Sequence, residues 1–203
     1  MIKTLIFDFG NVFINLDKDG ARINALNLFK IDEFTDWMIE TNENYEKGLI
    51  PTDDFITYYM DKYPKITEYG ILDSWNYIIE DFPEKRLRFI KQLAKEHNYK
   101  LILLSNTNHL HIEWIKYKMR SFEEFYDCFD RFYLSHEIGM RKPDLEIYRT
   151  VLDRDQLVAE ECLFIDDTKE NTDAAETLGI HTWNLNPGSE DVTELFDKKQ
   201  NLF

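Results

Sequence analysis

The chain has 203 residues, 43% of them hydrophobic and 31% charged, with a formal net charge of −15. That length holds one large domain or a core with a small insertion, and that charge, with no Lys/Arg cluster against it, argues against nucleic acid as a partner. The two cysteines, Cys128 and Cys162, stand far apart without metal-ligand spacing, which argues against a disulfide framework or a zinc site and fits a reducing cytoplasm.

The N-terminus enters a strand pattern at Lys3 with no basic segment before it, and no run of about eighteen apolar residues follows anywhere. Neither secretion nor a membrane partner is expected. The first apolar run, Lys3–Phe7, ends on Asp8, and Gly10 lets the backbone turn sharply two residues later. Roughly ninety residues of helical periodicity then separate it from the next strand at Lys100. Residues 15–82 therefore read as a helical insertion, with helices over Asp17–Phe29, Asp32–Tyr45, Thr52–Tyr63 and Thr67–Ile79, broken at Gly48–Pro51 and Pro64. Thr52 followed by Asp53 and Asp54 looks like a capped helix start. Trp37, Tyr45, Phe55, Tyr58, Tyr59, Trp75 and Tyr77 suit a bundle packed through its rings, and as a group they can also wall a pocket.

From Pro83 the pattern alternates helix and strand, with strands at Lys100–Leu104, Arg131–Leu134, Cys162–Ile165 and His181–Leu185. Such alternation means an α/β fold with a parallel sheet and crossover helices. Residues 1–14 and 83–203 form its core, and the acidic tail from Ser189 reads as a short terminal helix or a frayed end.

Four polar signals follow or flank apolar strands, and in an open parallel sheet the carboxyl ends of the strands gather in one crevice. Asp8 is the first. Ser105 and Asn106 are the second, a hydroxyl and free amides at a helix start that can cradle phosphate or merely cap the helix. Lys142 is the third, ahead of Pro143, which is expected to open a helix. Adjacent Asp166 and Asp167 are the fourth; side by side at a buried strand end they repel each other unless a cation or the lysine compensates them, and Asn171 lies one turn on to orient a carboxylate or that lysine. Three carboxylates, a hydroxyl and an ammonium suit binding a divalent cation and a phosphate, with a carboxylate attacking phosphorus.

Carried on those four segments, the chain resembles the haloacid dehalogenase superfamily of phosphohydrolases over nearly its whole length. FDFGNV, LLSNTNHLH, YLSHEIGMRKPDLEIY and FIDDTKENTDAAETLGI look especially similar to the bacterial α-D-glucose-1-phosphate phosphatase branch. The resemblance implies a three-layer Rossmann-like core, with the insertion as a helical cap after the first strand. It implies Mg²⁺ as cofactor, held by Asp8, the Gly10 carbonyl and Asp167 with Asp166 nearby. By the same resemblance Asp8 is the nucleophile that forms an aspartyl-phosphate, Ser105 and Asn106 hold phosphoryl oxygens, Lys142 balances charge, Asn11 lies beside the site, and Lys47 belongs to a cap loop reaching over it. The partner so implied is a small phosphorylated metabolite, a sugar phosphate among the candidates.

One departure stands out. Most phosphatases of the superfamily carry a second Asp two positions after the nucleophile, where this chain has Gly10. His109 and His111 open the helix after the second signal, where an imidazole either faces solvent or supplies the missing proton transfer. Two other readings keep the fold: a metal-independent 2-haloacid dehalogenase, and a binding or regulatory module that has lost efficient catalysis.

Overall fold

The strongest apolar runs become five parallel strands in the computed structural model, which describes Met1 to Phe203. They are β1 (Thr4–Phe7), β2 (Lys100–Ser105), β3 (Arg131–Leu134), β4 (Cys162–Asp166) and β5 (His181–Asn184), in the spatial order β3-β2-β1-β4-β5. β1 is central and paired on both edges, Ile6 facing Ile102 on one side and Phe164 on the other. Successive residues of a strand point to opposite faces. Leu5 and Phe7 accordingly join one core with Ile90, Leu93, Ile112 and Ile115, while Ile6 joins the other with Ile147, Tyr148 and Val151. Helices cover both faces, which makes the three-layer, Rossmann-like α/β architecture. No helix is long and apolar enough to cross a membrane.

Between β1 and β2 the chain forms α1 (Lys18–Phe29), α2 (Asp36–Glu46), α3 (Thr52–Lys62), α4 (Glu68–Asn76) and α5 (Glu84–Glu96). The first four enclose a cluster of their own, built on stacked Tyr45 and Phe55 with ring centroids 4.0 Å apart, and on Trp75 against both Phe55 and Tyr59. Tyr58 and Tyr77 lie outside it, exposed. α2 begins at Asp36 rather than Asp32, because Ile31 and Phe34 pack against the cluster from a non-helical approach and Thr35 precedes the first turn. Thr52 is the first helical residue and Pro51 stands at the cap; the Thr52 hydroxyl instead meets the Tyr45 hydroxyl at 3.0 Å. The chain continues through α6 (His109–Lys118), α7 (Phe122–Tyr126), α8 (Ser135–Ile138), α9 (Leu145–Arg154), α10 (Lys169–Glu176) and α11 (Leu195–Lys198). Pro143 does not open α9, which starts at Leu145 with Asp144 before it. The tail is anchored, since Phe196 and Phe203 pack on Tyr99.

The segments entering and leaving the four-helix unit pair side by side. Leu16 bridges Ile79 antiparallel, and Asn15 exchanges backbone hydrogen bonds with Asp81 and Glu80. Beneath them Arg86 is 5% exposed; its guanidinium donates to the Phe13 carbonyl, to Asn15 Oδ1 at 2.9 Å and to Asp191 Oδ2 at 3.0 Å. Burial alone lifts the Asp191 carboxyl, but bonds from Lys85, Thr193 and Arg86 outweigh it and hold it down at about 2. A carboxylate depressed by folding stabilises the native state above its unfolded pKa near 4 and loses that contribution as pH falls toward 2. Removing one partner of a buried pair strands the other charge, so Asp191→Ala should cost about 3 kcal/mol at pH 7. Thermal melts of the variant and the parent should converge as pH drops from 4 toward 2; a constant gap would rule out the linkage.

Candidate functional site

β1, β2 and β4 end at one edge of the sheet, and their loops bring the four polar signals together. Asp8 leaves β1 with its amide still bonded to the Ile165 carbonyl. Lys142 arrives from the loop after α8, held by Asn106, whose Oδ1 accepts from the Lys142 amide and whose Nδ2 donates to the Lys142 carbonyl, both at 2.8 Å. Asn106 thus spends its carboxamide on positioning the lysine rather than on a phosphoryl oxygen. Lys142 is 1% exposed. Its Nζ reaches Asp8 Oδ1 at 2.7 Å, Asp166 Oδ2 at 2.7 Å and the Leu104 carbonyl at 2.9 Å, so its three donors meet three acceptors.

Asp166 is fully buried behind this array. Asn171 Nδ2 donates to its carboxylate, as does the Thr168 amide. Asp8 and Asp167 line a cavity of about 460 Å³, and Asp166 does not. Asp167 accepts from Asn11 Nδ2 at 2.9 Å and from Lys18 Nζ at 2.6 Å. Asn11 sits in the left-handed region at φ 55°, which Asn tolerates, and its Oδ1 takes the Leu16 amide, so both ends of that side chain are engaged within the protein. Ser105 faces the cavity with only a long 3.4 Å contact to the Asn106 carbonyl, which leaves its hydroxyl available.

Oxygens of Asp8, Asp166 and Asp167 lie within 4.8 Å of one another. Burial, more than any other cause, raises the Asp8 carboxyl to about 7; Asp166 and Asp167 add to the rise and Lys142 opposes it. For Lys142, burial pulls the ammonium down, but Asp166 and Asp8 outweigh it and keep it above the ordinary lysine value. The lysine stays charged. Three clustered carboxylates against two ammoniums, the saturated Lys142 and the exposed Lys18, leave excess negative charge, and an all-oxygen donor set is the kind hard divalent cations take.

Gly10 also lines the cavity, and a Cβ there would lie 2.6 Å from Leu16 Cδ1. The leucine fills the space a side chain at position 10 would need. Lys47 is placed elsewhere than over the site: its Nζ lies 3.4 Å from Asp144 and it does not line the cavity. The following Gly48, at φ 66°, rests against α8 so closely that a Cβ would meet the His136 carbonyl oxygen at 2.0 Å. Its neighbour Glu46 does face the cavity, with Oε2 bound by Arg141 Nε at 3.1 Å. His109 is exposed, whereas His111 turns inward, donating from Nε2 to the Trp75 carbonyl of α4 at 2.9 Å and accepting from Asn108 at Nδ1. Burial pushes its pKa down to about 4, so the ring is neutral at neutral pH. Lys18, Glu46 and Arg141 were not singled out as cavity residues in the sequence, whereas His111 was one of the two imidazoles set beside the site.

A family model for haloacid dehalogenase-like hydrolases matches residues 2–179. D-ribitol-5-phosphate phosphatase of Bacteroides thetaiotaomicron is 29% identical, over 96% of this chain and 97% of its own. Among solved structures, a HAD family enzyme of the same organism in complex with magnesium aligns with TM-score 0.85 at 32% identity, covering 96% of this chain and 98% of that one. A HAD-like hydrolase of Porphyromonas gingivalis aligns with TM-score 0.84 at 25% identity, over 100% and 98% of the two chains.

Proposed function

The chain belongs to the haloacid dehalogenase-like hydrolases, and from that premise we propose that it is a magnesium-dependent phosphatase of a small phosphorylated polyol or sugar, working through an aspartyl-phosphate on Asp8. The observation that carries the reading is the Asp8 carboxylate, fixed at 2.7 Å by Lys142 on the wall of a cavity it shares with Asp167 and Ser105. Support for the substrate class comes from the ribitol-phosphate phosphatase relative. The cation would be held by Asp8, Asp167 and the Gly10 carbonyl, and when bound it supplies positive charge that screens carboxylate from phosphate.

Asp8 attacks phosphorus, the ester P–O bond breaks, and the departing alkoxide takes its proton from water; a second water then attacks phosphorus, gives up its proton to solvent, breaks the bond to Asp8 and releases phosphate. Splitting a very slow hydrolysis into two displacements is the gain of the covalent route. Lys142 offsets charge on Asp8 and the phosphoryl group, and Ser105 donates to a phosphoryl oxygen. Asp166, buried on the far side of Lys142, keeps that ammonium in place. Gly10 offers no acid, and neutral His111 spends its proton on Trp75, so the leaving oxygen gets no help from either.

A core of residues 1–14 and 83–203 with a cap of 15–82 is the matching division, supported by the paired connections at Leu16 and Ile79. A reducing cytoplasm suits the two buried free thiols.

Phosphate release with Mg²⁺ and with EDTA tests the reading. D-ribitol 5-phosphate should be hydrolysed only with metal, and acetyl phosphate, whose leaving group needs no proton, should turn over faster. Undiminished turnover in EDTA would sink the proposal, and chelator-resistant halide release from 2-chloropropionate would replace it with carbon displacement.

A further inference from the structure

Apart from neutral His111, the basic side chains lining the cavity are Lys18, Arg141 and Lys142. Lys142 already serves three acceptors, and Arg141 gives Nη1 to Glu43 at 3.0 Å and Nε to Glu46 at 3.1 Å, both on α2. Lys18 differs. Its Nζ makes one bond, to Asp167 Oδ2 at 2.6 Å, and its side chain is 50% exposed. An ammonium has three donors, so the others are without a protein partner.

Nothing in α1 needs a cation at this position. Lys18 is the first residue of the helix, where the positive end of the dipole disfavours an ammonium, and the helix start is made by Asp17, whose Oδ1 accepts from the Gly20 amide at 2.8 Å. The backbone before Lys18 is fixed from outside the helix: the Asp17 amide bonds the Ile78 carbonyl at 3.0 Å, and Leu16 bridges Ile79. A long side chain on a fixed root, ending on Asp167, serves the cavity rather than α1. That same carboxylate belongs to the oxygen cluster of Asp8, Asp166 and Asp167. A cation and an ammonium that draw on one carboxylate weaken each other's hold, while both attract an anion placed between them.

We propose that Lys18 is a further substrate-binding residue: its ammonium competes with a divalent cation for Asp167 and donates to a phosphoryl oxygen of the substrate. The inference rests on the phosphatase reading and adds a residue to that site. Lys142 offsets charge beside Asp8 but has no donor left for the phosphate, and the Ser105 hydroxyl brings no charge. Lys18 is the cavity cation that can meet a phosphate dianion with N–H groups the protein does not use. The arrangement weakens metal binding and strengthens phosphate binding, so the two ligands of the reaction feel Lys18 with opposite sign.

The test reads the two ligands separately. Lys18→Met keeps most of the side chain's length and removes its charge, whereas Lys18→Arg keeps the charge. Calorimetry of Mg²⁺ binding should give a dissociation constant about threefold lower in Lys18→Met than in the parent, the size expected of a half-exposed ion pair. Inorganic phosphate should bind the Mg²⁺-saturated protein about tenfold more weakly in Lys18→Met, and within about threefold of the parent in Lys18→Arg, since a charge-assisted hydrogen bond is lost in the first and kept in the second. With D-ribitol 5-phosphate the loss in Lys18→Met should appear mainly in KM. A lysine with only a structural role would move both constants the same way or neither. Mg²⁺ binding unchanged or weaker in Lys18→Met, phosphate binding unchanged there, or no recovery in Lys18→Arg would each overturn the assignment. Opposite shifts of the two constants, with no Mg²⁺-dependent hydrolysis of any phosphate ester by the parent, would uphold Lys18 as an anion-binding residue and overturn the phosphatase reading instead.

Discussion

Asp8→Asn should lower kcat by about 10⁴-fold or more on every phosphate substrate, because removing a covalent nucleophile deletes the route rather than one contact along it. The amide keeps the shape of the carboxylate, and its oxygen still accepts from Lys142, which lies 2.7 Å from Asp8 in the parent. Stability should move the other way. Asp8, Asp166 and Asp167 crowd within 4.8 Å, and neutralising one of three like charges relieves repulsion in the metal-free protein. The metal-free variant is expected to melt at or above the parent's temperature. The parent should gain more from added Mg²⁺, since a ligand stabilises by its affinity for the native state. Retained turnover in Asp8→Asn would remove Asp8 from the chemistry.

Lys142→Met should fail on both counts. Its ammonium is the buried group that bonds two of the three carboxylates, with Leu104 as its third acceptor. Leaving Asp8 and Asp166 without it strands buried charge at a cost of about 3–5 kcal/mol, a drop on the order of 10 °C in Tm for a domain of this size. Activity should fall about 10³-fold as well, since a preorganised charge at a transferring phosphoryl group is among the larger single contributions to catalysis. Lys142→Arg should not rescue it, because a planar fork cannot serve three acceptors arranged around a point. A Lys142→Met protein that melts like the parent would contradict the saturated array around Nζ.

The sheet was legible in the sequence because each strand is a short apolar run ending on a polar residue, and strand ends in a parallel sheet converge whatever lies between them. Asp8, Ser105, Lys142 and Asp166/Asp167 came together on that rule alone, and Asn171 was found by helical spacing. The roles within the group were less legible. Asn106 had the composition of a phosphate cradle, yet only the fold shows the Lys142 backbone arriving to occupy both ends of its carboxamide. The cap side was less legible still. Helical periodicity gave four helices, but α2 starts late because Ile31 and Phe34 are drawn into the cap cluster, a tertiary preference that local patterning does not carry. Adjacent residues Glu46 and Lys47 diverge at the end of α2, one into the cavity and one toward Asp144. His111 points inward only because Trp75, on an element 36 residues away, offers a carbonyl.

The contact between Leu16 and the face of Gly10 ties together two positions that neither β1 nor α1 joins. An acidic side chain introduced at 10 collides with Leu16 Cδ1, at 2.6 Å from the first carbon, unless that leucine shifts or is shortened. The two positions are therefore coupled: a side chain at 10 requires a shift of the Leu16 side-chain tip or a smaller residue at 16. Leu16 also bridges Ile79 through its backbone where the helical insertion meets the sheet core, so a carboxyl placed at 10 would press on a side chain rooted in that joint.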